Sequence, residues 1–157
     1  MHTHHFPKSL ACLVLSGCLA AHAQPRPDFS GTYVLAPSAD TPAPDAFPLQ
    51  VVIRQSALEL TVVRTTPRGD SEATYRLDGV ETVESNMLGD TKVRATWQGE
   101  TLVVTKTRTL TGPDGPTDLV STESYAMENG GLVIETRQPT PDGGYRSQKL
   151  VLGKSKA

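Results

Sequence analysis

From Phe29 to the carboxyl end, apolar side chains recur at every second position over short stretches. Val93-x-Ala95-x-Trp97, Leu102-x-Val104, Tyr125-x-Met127 and Leu132-x-Ile134 are clear cases. A period of two is the mark of a strand with one face buried. Clusters of Gly, Pro, Asp and Asn separate these stretches, and no apolar pattern at helical spacing exceeds about two turns. The pattern predicts strands over 29–36, 49–54, 58–66, 71–77, 80–85, 92–97, 101–110, 118–127, 132–138 and 145–152. The stretch 37–48, PSADTPAPDAFP, holds four prolines and reads as a long link, because proline cannot donate to a ladder.

The connections set the topology. Gln55-Ser56, Asp78-Gly79, Gln98-Gly99 and Asn129-Gly130 are expected as two-residue turns, the Asn-Gly and Asp-Gly pairs suiting type I′ geometry. Between them fall the longer links 37–48, 67–70, 86–91, 111–117 and 139–144. In a meander, successive turns lie at opposite ends, so one end is expected to be tight and the other loose. About ten strands without crossover helices predict an all-β, up-and-down antiparallel barrel, which removes exposed edges. A two-sheet β-sandwich is the alternative.

Pairing across the tight turns assigns the faces, since opposed residues of an antiparallel pair share a side. Ala95 is expected opposite Leu102 and Val93 opposite Val104. Met127 is placed opposite Leu132, Tyr125 opposite Ile134, Ile53 opposite Leu58 and Val51 opposite Leu60. The apolar face so defined includes Trp97 and forms a packed floor at the tight-turn end. Toward the other end the same face turns polar and cationic, through Lys106, Arg108, Arg64 and Glu123. Buried charges must be paired or hydrated, so this end is expected to be wet. Two readings follow. One is a cup holding an amphipathic molecule, its tail on the floor and its anionic head at Arg64, Lys106 and Arg108, with Trp97, Glu123 and Tyr125 also lining the site. The other is that these cations pair with Glu123 and Glu84 at strand ends.

The amino-terminal segment is of another kind. Residues 1–8 carry Lys8, residues 9–21 are almost wholly apolar, and Ala21-His22-Ala23 follows. This is the order of a secretory signal peptide, with an apolar run too short for the roughly 20 residues of a membrane-spanning helix. Residues 1–23 are therefore expected to be removed, leaving 24–157 as one domain. Leu15-Ser16-Gly17-Cys18 also resembles the bacterial lipobox, which gives the alternative of a 1–17 leader and a lipidated Cys18. Either route places the domain outside the cytoplasm, periplasmic or secreted in the first case and an outer-membrane lipoprotein in the second.

Composition narrows the chemistry. Fifteen Lys and Arg stand against 17 Asp and Glu, a balance that argues against a nucleic-acid partner. All four histidines and both cysteines lie within the first 22 residues. The mature domain would then have no thiol nucleophile, no histidine base for a serine, and no His or Cys metal ligand. No phosphate loop or Ca²⁺ loop is present. The expectation is a non-enzyme with no cofactor, and Arg68-Gly69-Asp70 reads as a turn.

Asp28-Phe29-Ser30-Gly31-Thr32-Tyr33 resembles the opening of calycin-type barrels, the lipocalins and fatty-acid-binding proteins. The region 28–152 is similar to small bacterial exported proteins that begin D-F-S-G-T-[WY]. LELTVV (58–63), TYRLDG (74–79), WQGETLVV (97–104) and GGLVIE (130–135) correspond to their later segments. The resemblance implies a lipocalin-like barrel and a small hydrophobic ligand. It differs in having Tyr33 where the family carries the tryptophan that plugs the floor.

Overall fold

The structure is a computed structural model describing residues 26–35, 50–87, 89–113 and 115–155. The expected leader 1–23, Cys18 and the 37–48 link lie outside the described residues.

All ten strands form, in one antiparallel sheet and not in two. They are β1 (Gly31–Leu35), β2 (Gln50–Gln55), β3 (Glu59–Thr66), β4 (Gly69–Arg76), β5 (Thr82–Asn86), β6 (Gly89–Gln98), β7 (Thr101–Gly112), β8 (Gly115–Glu128), β9 (Gly131–Pro139) and β10 (Tyr145–Lys154). Each pairs with its neighbour in sequence except at one place, and β1 pairs with β10. The exception is β4–β5, the two ends of the sheet order, which share no ladder. The sheet curls until β4 approaches β6, so the barrel is closed but for this seam. Asp78-Gly79 is therefore not a hairpin turn. The Asp78 carboxylate instead accepts the Val80 N–H at 3.0 Å, and the chain crosses the gap without pairing.

The connections depart from the expected alternation of tight and loose. Thr66 pairs with Gly69, Asn86 with Gly89 and Gly112 with Gly115, so three links expected to be long are tight hairpins. The three glycines take φ of 121°, 105° and 104°, a region closed to most side chains. The Thr-, Gly- and Asp-rich ends of these strands bury little on either face, which hid them from a reading based on alternation. Backbone pairing needs no apolar side chain and carries the ladder on. Of the links expected to be long within the described residues, 140–144 alone remains so, closed by Thr140 N–H to Gly144 O at 2.9 Å and Gly143 N–H to Thr140 O at 3.0 Å.

At the other end, Asn129-Gly130 behaves as expected, with Met127 opposite Leu132 and Tyr125 opposite Ile134. Two registers shift. The β6–β7 turn is Gly99-Glu100, so Trp97 opposes Leu102 and Ala95 opposes Val104. Residues 56–58 link β2 and β3, placing Ile53 opposite Val62 and Val51 opposite Arg64, with Leu58 left 68% exposed. Here the Ser56 hydroxyl oxygen accepts the Leu58 and Glu59 N–H groups and draws both residues into the turn. Each shift is an even number of residues, so the inward faces survive it.

The floor is solid. Phe29, Tyr33, Leu102, Tyr125, Leu132, Ile134 and Leu152 are buried to 1% exposure or less. The segment before β1 closes it from below: Phe29 N–H donates to Gln55 Oε1 at 2.9 Å and Gln55 Nε2 donates to Pro27 O at 3.0 Å. Tyr33 fills the place of the resembled tryptophan, and its hydroxyl donates to Phe29 O at 2.9 Å. A tail lying on this floor, as the cup reading expected, has no room there.

Candidate functional site

The inward faces of β3, β6, β7, β8 and β9 turn polar above the floor, and tertiary closure sorts the expected residues into three places. Trp97 is at the floor end. It stacks on Phe29 with ring centroids 5.7 Å apart, and the Arg26 guanidinium lies 5.4 Å from its ring centre. Along β7 it stands about 13 Å from the Lys106 level, at roughly 3.3 Å per residue.

Arg64, Glu123 and Tyr125 meet in the middle. Arg64 reaches across the interior from β3 and forms an ion pair with Glu123 on β8, while Nη2 also donates to the Tyr125 hydroxyl at 2.7 Å. Burial works against the Arg64 charge, but Tyr125, Glu123 and Tyr75 around it hold its pKa above the ordinary arginine value. Burial and then Glu123 push the Tyr125 hydroxyl well above the usual tyrosine range. The Tyr75 ring tilts against Tyr125 at 6.5 Å, and its buried hydroxyl lies beside Arg64 without hydrogen-bond geometry to any described residue. Together these side chains make a bar across the barrel.

Lys106 and Arg108 stand above the bar. Arg108 Nε donates to Thr91 Oγ1 at 3.3 Å, and Lys106 Nζ sits 5.2 Å from the Tyr75 ring centre. Among the described residues neither has a carboxylate within 4.0 Å. The pairing reading thus holds for Arg64 with Glu123 and fails for the other two, since Glu84 on β5 is exposed and pairs with neither. The two cations line an open cleft of about 270 Å³ with Thr91, Leu119, Ser121, Gln138 and Pro139. A chamber of about 70 Å³ adjoins it, sharing Lys106, Ser121 and Gln138 and reaching down to Glu123 and Thr136.

A larger hollow of about 400 Å³ lies over β8, β9 and β10. Most of its lining, including Ser124, Glu135, Arg137 and Lys149, alternates with the core residues and so belongs to the outer wall. Its Lys149 is already 3.5 Å from Glu135. The cleft inside the barrel has the convergent, unpaired charge and is the better site.

Ser121 follows from the inward face it shares with Glu123 and Tyr125, whereas Thr91, Leu119, Gln138 and Pro139 were not singled out from the sequence. The period-two step from Tyr125 and Ile134 leads to Ser121 and Gln138, so that signal was present. Tyr75 carried none, because its place opposite Tyr125 depends on β3 and β4 folding over the interior. Among the described residues no group of three or more His, Cys, Asp or Glu converges to hold a metal, and no helix is long and apolar enough to cross a membrane.

Ten meandering antiparallel strands, a near-closed interior and a single seam decide the architecture. The fold is of the calycin type. No protein-family model matches the chain and none of the curated proteins does. Among solved structures it is similar to the zebrafish ileal bile acid-binding protein complexed with cholic acid, with a TM-score of 0.57 and 15% identity over 81% of this chain and 98% of that one. It is also similar to a structure described as REP1-NXSQ fatty acid transporter, with a TM-score of 0.54 and 10% identity over 82% and 96% of the two chains. At such identity the likeness establishes the fold, and the chemistry rests on this chain's own residues.

Proposed function

We propose that this protein is a non-catalytic carrier acting outside the cytoplasm, and that its ligand is a small amphipathic molecule with an anionic head. The head sits at Lys106 and Arg108, and Leu119 and Pro139 give its apolar part a short wall. One observation carries this reading: two cations line an open cleft of the barrel with no described carboxylate within 4.0 Å of either, while the third interior cation, Arg64, is paired. The solved structures of similar fold, named for fatty acid transport and bile acid binding, support it.

Titration calorimetry with octanoate tests it. Hydrogen bonds to charged groups contribute about 1.5–3 kcal/mol each, so Lys106→Ala and Arg108→Ala are each expected to weaken binding about tenfold or more. Unchanged affinity in the double variant would sink the assignment of the head site. Trp97, stacked on Phe29 at the far end, is expected to show little fluorescence change on binding. A second reading, a structural envelope module whose barrel is filled by its own side chains, is favoured by the solid floor. Absence of saturable octanoate binding would select it.

Export is part of the proposal and rests on residues 1–23. After expression in a bacterial host, an amino terminus at Gln24 in the mature mass would support the secreted or periplasmic form. A diacylglyceryl-modified Cys18 would support an outer-membrane lipoprotein. An intact Met1 on all the protein would overturn export.

A further inference from the structure

The head site leaves the length of the ligand open, and the side chains beneath it close that question. We infer that the cleft selects short-chain amphiphilic anions, of about four to eight carbons, and gains nothing from the rest of a long-chain fatty acid. The inference rests on the proposed head site and adds a limit to it.

Space is the first argument. At about 30 Å³ for each water-sized group, a cleft of about 270 Å³ holds roughly nine such groups and the adjoining chamber roughly two. Sites for drug-sized ligands begin at about 300 Å³. The side chains below the cleft limit the tail as well. Arg64 spans the interior to Glu123 and Tyr125, and Tyr75 packs against Tyr125, so a tail descending from Lys106 meets this bar. Beyond the bar the side chains from Leu102 to Phe29 are fully buried and leave no channel. Threading a chain through would require breaking the Arg64–Glu123 pair inside the barrel and leaving each charge short of a partner.

Charge places the head. Lys106 borders both the cleft and the chamber, whereas Glu123 borders only the chamber. Below Lys106 the chamber offers an anion no further free cation, since Arg64 is already held by Glu123, so the head halts at the boundary between cleft and chamber. The tail must then lie in the cleft, along Leu119 and Pro139 and the aliphatic stem of Arg108, or extend into water. Only the part inside the cleft adds affinity.

The test is a calorimetric series on the purified protein with butanoate, hexanoate, octanoate, dodecanoate and hexadecanoate, each below its micellar concentration. Every methylene that is buried tightens binding about fourfold. The expected result is a steep gain up to about octanoate and then a plateau or a loss. Continued tightening through dodecanoate and hexadecanoate would overturn the length limit while leaving the head site standing. Failure of all five to bind would overturn the head site and the limit with it. Tyr75→Val removes the ring that packs on Tyr125, together with its unpartnered hydroxyl, and is expected to move the break to longer chains. A break that stays at octanoate in a folded Tyr75→Val protein would show that the bar does not set the limit.

Discussion

Arg64 and Glu123 show what a pair of interior charges costs and what it secures. Their side chains keep 21% and 14% of their exposure, so desolvation is substantial but incomplete. Glu123→Ala would leave the guanidinium with only the Tyr125 hydroxyl, and removing one partner of a buried pair costs about 3–5 kcal/mol. The residual exposure puts the expected loss toward the low end, about 3 kcal/mol, seen as a lower urea midpoint with an unchanged slope. Replacing both partners, Arg64→Met with Glu123→Leu, is expected to cost less, about 1–2 kcal/mol, because no charge is left unpaired and only the buried Tyr125 hydroxyl loses its partner. A double variant as unstable as Glu123→Ala would mean that the charges themselves hold the fold. Lys106 and Arg108 differ in kind: they keep access to water, and their neutral variants are expected to change binding more than stability.

At the scale of elements, the β8–β9 hairpin is the best specified piece of the barrel. Asn129 and Gly130 have φ of 50° and 78°, the two positive values of a type I′ turn. Gly130→Ala places a side chain in that region with open space around it, at a cost of about 1 kcal/mol. Gly131 is constrained differently. A Cβ there would stand 2.8 Å from the Leu152 carbonyl oxygen, which belongs to the neighbouring strand β10. That oxygen can retreat only by disturbing the β9–β10 ladder, so Gly131→Ala is expected to cost more, about 1–3 kcal/mol. Thermal unfolding of the two variants checks the order; the reverse ranking would show that turn strain outweighs strand spacing.

For the molecule as a whole, two tyrosines link stability to alkaline pH. Tyr33 under the floor and Tyr125 in the bar both have folded pKa values above the ordinary 10.0, chiefly because burial disfavours the phenolate. A group whose folded pKa is raised stabilises fully below its unfolded value and loses that contribution as pH rises through the folded one. Stability is therefore expected to hold up to about pH 10 and to fall above it. Tyrosinate absorbance should rise together with loss of structure. Ionisation of Tyr33 and Tyr125 near pH 10 with the fold intact would contradict this. The β4–β5 seam is the other property of the whole barrel, since a sheet that does not close leaves two strand edges unpaired.

The number of strands, the meander and the inward faces were legible in the sequence, because side-chain alternation is local and survives register shifts of two or four residues. Lys106 and Arg108 were legible as inward cations for the same reason. The three extended hairpin ends were not, as their ladders are made by backbone and bury little. For Arg64, pairing with Glu123 was one of two readings open, and the choice was made only once β3 and β8, 59 residues apart at these positions, faced each other across the interior. A single strand's pattern states which way a side chain points; what it meets, how much space remains and where the ring fails to close depend on the curvature of all ten strands together. The sequence alone thus determined a barrel with a cationic inner rim, and only the tertiary structure decided that its floor is full, that one cation is spent, and that two remain beside an open cleft.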